Sequence, residues 1–180
     1  MIKVAIEKIS TPSDEKLLEE ILKGLEKHSV YVGIPKDNAG RKAGKMNNPT
    51  LLYIHSHGSP VKNIPARPVI KPAIEDQENR YKLNSLFLKA ALEGIKGNEQ
   101  NLLKQLGRIG KAAQNMCRDW FTNPKNGWPP NQPATVKGKL RKMSKSKRAA
   151  AMAVYKQGGS IDSPLIDTGE LRKSIIYVVK

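Results

Sequence analysis

One apolar stripe constrains this chain more than any other feature. Leu102 and Leu103, then Leu106, Ile109, Ala113, Met116 and Trp120, form a stripe that from Leu103 on steps by three and four residues, which predicts a core-facing helix over about 99–121. Gly107 and Gly110 fall inside it and cost a helix about 1 kcal/mol each relative to Ala. They are therefore expected to admit a close helix or backbone neighbour. A long helix is also expected from Ala73 to Ile95, with Ile74, Tyr81, Leu88, Leu92 and Ile95 among its apolar positions and Lys96-Gly97-Asn98 as the break.

The rest of the chain divides by the same logic. Ile2, Val4 and Ile6 alternate as a first strand would. Thr11, Pro12 and Asp14 read as a helix start, and Leu17, Leu18, Ile21, Leu22 and Leu25 follow as one apolar face of a helix over 12–27. Residues 29–34 are β-rich and stop at Pro35. Residues 36–48 are polar and Gly-containing, hence a loop. Asn48-Pro49 opens a short helix from Thr50 to about His57, which Gly58 closes. Pro60, Pro65, Pro68 and Pro72 predict an extended segment over 59–72. Residues 123–135 read as loop, and Lys147 to Lys156 as an Ala-rich helix ending at Gly158-Gly159. Asp167-Thr168-Gly169-Glu170 can form a capping box, and Ile175 to Val179 is a strand sequence.

These elements sum to an α+β fold. A small mixed or antiparallel sheet packs against two long helices, with an extended loop/helix appendage at about 123–163. A chain of 180 residues suits a single domain over 1–180 and can bury a core without disulfide staples. The one cysteine, Cys117, excludes an internal disulfide and makes a cysteine zinc cage implausible. No apolar run reaches the roughly 18 residues of a membrane span. The N-terminal stretch, with Glu7 and no long apolar core, does not read as a signal peptide. A soluble protein of a reducing cytoplasm is expected.

Charge narrows the function. The chain carries 32 Lys and Arg against 16 Asp and Glu, a net charge of +16. The densest run, residues 136–148, holds Lys137, Lys139, Arg141, Lys142, Lys145, Lys147 and Arg148 with no acid. Such a run repels itself unless an anion neutralises it. It reads either as a contact with DNA phosphate or an acidic protein face, or as a solvated loop. No aromatic residue is interleaved, so any DNA contact would be blind to sequence.

Catalysis finds no positive support. His55 and His57 are two apart and do not share a helical face; favourable contacts with a helix C-terminus explain them better than a metal. Cys117 lies in the apolar stripe and reads as a small buried hydrophobe. Asp162, Asp167 and Glu170 could form a carboxylate cluster, but helix capping accounts for the last two. No phosphate-binding glycine loop and no nucleophile elbow occurs. No cofactor or metal is expected.

Four segments, read in order, carry a resemblance. They are Val32-Gly33-Ile34-Pro35, then Ile54-His55-Ser56-His57-Gly58-Ser59, then Ile64-Pro65-Ala66-Arg67-Pro68, then the segment from Pro164 through Leu165-Ile166-Asp167-Thr168-Gly169-Glu170 to Ile175. The series resembles the neck or tail-completion proteins of tailed bacteriophages, also described as virion morphogenesis or minor tail proteins. Val69 stands where that family often has Phe, and His57-Gly58 replaces its aromatic-Gly pair.

The resemblance implies a structural protein of the virion neck, assembled in the host bacterial cytoplasm. It implies a ring of six copies between the head-side connector and the tail terminator or tail tube, with genomic DNA in the lumen. Candidate subunit-interface residues are then Ile64, Pro65, Arg67, Pro68, Asp167, Thr168 and Arg172. The rival reading is a free, sequence-nonspecific DNA-binding protein, motivated by charge alone; a nuclease using the late acids is weaker still.

Overall fold

The computed structural model describes Lys16, Glu19 and residues 27–41, 46–156, 164–166 and 168–180. The expected strand at Ile2 to Ile6, most of the expected 12–27 helix, Gly158-Gly159, Asp162 and Asp167 lie outside the described residues. Lys16 and Glu19 are helical and exposed. The described chain is an α+β fold, with a small two-stranded antiparallel sheet packed against long helices.

It divides into two compact units. The first gathers residues up to Val32, Gln77–Ala113 and Tyr177–Lys180. Strand β1 (Val30–Gly33) pairs with β2 (Ile176–Val179), and Ser29 and Lys180 exchange both backbone hydrogen bonds, at 2.7 and 2.9 Å. The long helices are α3 (Gln77–Ile95) and α4 (Glu99–Asp119). Leu83, Ala90, Leu102, Leu106, Ile109 and Ala113 are buried in this unit. The turn between the helices is tied by Glu93, whose carboxylate accepts from Lys96 Nζ at 3.2 Å and Asn101 Nδ2 at 3.1 Å. These two donors hold the Glu93 carboxyl below its ordinary pKa.

The second unit spans Gly33–Asp76 and Gln114–Ile176. It contains α1 (Asn48–His57), α2 (Ile70–Glu75), the last turns of α4, α5 (Pro133–Lys142), α6 (Lys145–Lys156) and α7 (Glu170–Ser174). Asn47 caps α1 by accepting from Thr50 N at 2.9 Å, and Gly58 ends it at φ 76°. Helix α7 packs on α1. Arg118 holds the C-terminal end of α7, donating to the Lys173 and Ile175 carbonyls at 2.8 and 2.9 Å. Leu52, Val69, Ala73, Trp120, Phe121, Leu171 and Ile175 form the buried core of this unit with Cys117.

Five expectations are corrected. The segment 59–72 is not extended throughout. Ser59 and Ile64 bridge across a 3₁₀ turn at Pro60–Lys62, closed by Asn63 at φ 53°, and α2 already begins at Ile70. The expected 73–95 helix is broken at Asp76, where ψ is 134° and the chain leaves helical space. The loop 123–135 contains a 3₁₀ turn at Pro124–Asn126 and yields to α5 at Pro133, a residue suited to a helix start. The basic run is helical on both sides of Met143 and Ser144. Helix α7 starts at Glu170 after Gly169 at φ 77°, too late for Glu170 to close a box; Thr168 Oγ1 instead accepts from Glu170 N at 3.3 Å.

Candidate functional site

Two features of the second unit gather the sequence-predicted residues. The first is the basic helix pair α5–α6. A spacing of four puts Lys137 and Arg141 on one face of α5, and both are exposed, as are Lys142, Lys145 and Lys147. Arg148 has a different task. Its guanidinium donates to the carbonyls of Leu140, Arg141 and Met143 at 2.9, 3.2 and 3.3 Å, so it satisfies the end of α5 and fixes the turn into α6. Lys139 falls on the opposite face of α5, beside Thr135, and is half-buried. Six of the seven cations are thus exposed, Arg148 among them although its guanidinium is occupied by the end of α5. Lys145, Lys147 and Arg148 also sit in the first turn of α6, where the helix dipole is positive and favours an anion.

The second feature is a cavity of about 350 Å³. Leu51, Leu165, Ile166 and Leu171 form its apolar wall. Its polar wall carries Arg41, His55, Arg67, Lys139 and Glu170. Three of the four resemblance segments contribute, through His55, Arg67, the pair Leu165 and Ile166, and residues 168–171. Backbone bonding explains the convergence: Arg67 N donates to the His55 carbonyl, and α1 packs on α7.

Arg67 is only 5% exposed. Its Nε and Nη2 donate to the Pro129 carbonyl at 3.1 and 2.9 Å, and Nη2 also reaches the Pro130 carbonyl at 2.9 Å. Trp128 reinforces the same closure. Its indole N–H donates to the Pro68 carbonyl at 3.1 Å, and its ring meets Phe121 edge-on at 5.9 Å. Arg67 therefore pins the 128–130 strap rather than projecting toward another subunit. Of the other expected interface residues, Pro68 and Thr168 are exposed, while Ile64 and Pro65 are half-buried. Arg172 is paired within the unit, with Nη2 at 3.1 Å from Asp119 Oδ1.

The two histidines separate as their spacing demands. His57 is exposed, bonds the Tyr53 carbonyl through Nδ1 at 2.9 Å and lies against the Tyr53 ring at 4.3 Å. His55 faces the cavity. Burial, then Arg67, then Arg41, push its pKa below the ordinary value of 6.5. Burial and the two guanidinium groups thus work against its charged form. Cys117 is fully buried, and desolvation pushes its thiol up to about 12.

Sequence reasoning missed the cavity. Arg41 falls in a segment whose composition reads only as polar loop. The spacing of residues 41, 55, 67 and 170 carries no periodic signal, because four separate elements supply them. Comparison with protein families, with curated proteins and with solved structures finds no match to this chain.

Proposed function

We propose that this protein is a structural component of the neck of a tailed bacteriophage, assembling as a ring of six copies between the head connector and the tail. The observation that carries this reading is the outer face of α3. Tyr81, Leu88, Leu92 and Ile95 fall on one side of the helix, and all are exposed, from 42% to 76%. Leu83 and Ala90, on the opposite side, are buried. A helix that is apolar on two opposed faces is built to be covered twice, and exposed apolar stripes mark association surfaces. The four ordered segments of the resemblance support the family, and three of them meet at one cavity.

A subunit of net charge +16 repels its copies unless DNA or acidic neighbours offset it. The outward cations of α5 and α6 supply the contact for such a neighbour. The mechanism is association: closed rotation of one heterologous contact makes the ring, and the ring offers a docking face on each side. Deleting the gene from the phage should leave filled heads and separate tails. Infectious particles of normal yield without this protein would refute the reading.

A second reading, a free DNA-binding protein, is favoured by those same cations. It requires salt-sensitive binding of DNA by the isolated subunit, with log affinity falling steeply against log salt concentration. A flat response removes it.

A further inference from the structure

The exposed face of α3 carries a seam with two unlike edges. Tyr81, Leu88 and Ile95 recur every seven residues, and Ser85 and Leu92 fall between them, so the positions alternate by four and three as in a coiled-coil seam. All five are exposed, Tyr81 at 76% and Leu88 at 64%. From Tyr81 to Ile95 the seam runs about 21 Å, the length of about four turns of a second helix.

The edges say what kind of helix fits. One edge holds Lys82, Lys89 and Lys96, each directly after a seam residue and each exposed. Lys96, just past the end of α3, also donates to Glu93 at 3.2 Å. The other edge holds Asn84 and Ala91 and carries no charge. Edge residues of paired helices meet across the seam and set the choice of partner. In an antiparallel pair of copies like edges meet, so lysine would face lysine. In a parallel pair lysine would face Asn84 and Ala91. Neither arrangement gives a copy of this chain an opposite charge. A helix with acidic edges supplies one, and it also offsets part of the net charge of +16.

We propose that the outer face of α3 docks an amphipathic helix of a different protein, one with an apolar seam and acidic residues along its edges. The inference rests on the reading of this face as an association surface and adds the occupant: a neighbouring protein, not a second copy.

The probe is a fluorescein-labelled peptide of three Leu-Ala-Ala-Leu-Glu-Ala-Glu repeats, titrated with the full-length protein and followed by fluorescence anisotropy. Saturable binding is expected. The same peptide with Lys in place of every Glu should bind about tenfold more weakly, as three exposed ion pairs imply. Leu88→Gln, at an exposed position, should weaken the Glu peptide by about tenfold or more. Lys89→Glu should weaken the Glu peptide and strengthen the Lys peptide. No saturable binding of the Glu peptide, equal affinity for both peptides, or binding that survives Leu88→Gln would overturn the proposal. So would sedimentation showing copies that dimerise until Leu88→Gln separates them, which makes a second copy the occupant. Binding to phosphatidylglycerol vesicles that Leu88→Gln abolishes would overturn it in favour of a lipid surface. The ring reading fails on a different result, infectious particles without this protein, so the two failures are told apart.

Discussion

The ring of Tyr177 in β2 lies directly against Gly110 of α4. A Cβ built on Gly110 would sit 2.7 Å from Cγ of the ring and closer still to Cδ2. The expected close neighbour of the helical glycines is therefore an aromatic side chain, not a helix or a backbone. Gly110→Ala should destabilise the protein by about 1–3 kcal/mol through overpacking. Gly138, within α5, has open space within 4 Å of where a methyl group would sit, so Gly138→Ala should stabilise by up to about 1 kcal/mol. Opposite signs in chemical denaturation check both; a neutral Gly110→Ala would mean that the ring moves aside freely.

Arg67 should behave as a structural clamp. Its three bonds to the carbonyls of Pro129 and Pro130 need the planar fork of a guanidinium. Arg67→Lys is expected to cost about 1–3 kcal/mol, since one ammonium cannot make all three bonds and leaves a buried charge poorly matched. The checking measurement is urea unfolding followed by the fluorescence of Trp120 and Trp128. A loss of assembly with unchanged monomer stability would instead make Arg67 an interface residue.

The cations of the basic pair should separate into two classes. Arg148→Gln removes the donors to Leu140, Arg141 and Met143 and is expected to lower protection of the α5 and α6 amides from hydrogen exchange. Lys147→Gln, at an exposed position, should leave that protection unchanged. Equal effects would show that charge, not hydrogen bonding, holds the turn.

His55 makes stability depend on pH. Its folded pKa is lowered by burial, Arg67 and Arg41, so the unfolded chain takes up the proton first as pH falls. Its contribution is fully present above the unfolded value of about 6.5, falls as pH drops below that, and levels off below the folded value. His55→Gln should flatten this part of the profile. Unfolding free energies of both proteins at about pH 7.5 and about pH 5 test it; an unchanged slope would exclude His55 as the titrating group.

Cys117 should be inert in the folded protein. Its thiol is fully buried and pushed up to about 12, leaving almost no thiolate at neutral pH. Iodoacetamide should modify it only as fast as the protein unfolds, and rapidly in denaturant. Fast labelling under native conditions would contradict the packed position.

What the amino-acid order decided by itself is the set of elements whose signals are local. The stripe from Leu102 to Trp120 became α4 and the 3₁₀ turn that follows it, Gly58 closed α1, and the β-rich runs at 29–34 and 175–179 became the two strands. Periodicity and turn chemistry act within a few residues, so they are visible without knowledge of the fold. Tertiary structure alone decided the rest. Asp76 breaks the expected helix although neither Gly nor Pro falls between Ile74 and Leu92 to mark a stop, and the apolar pattern does not reveal which of the two apolar faces of α3 is buried. Arg67, which the sequence offers only as an interface candidate, is buried with its guanidinium on the carbonyls of Pro129 and Pro130. The cavity of Arg41, His55 and Glu170 exists only because chain segments more than a hundred residues apart meet there, and no local physical rule links their positions.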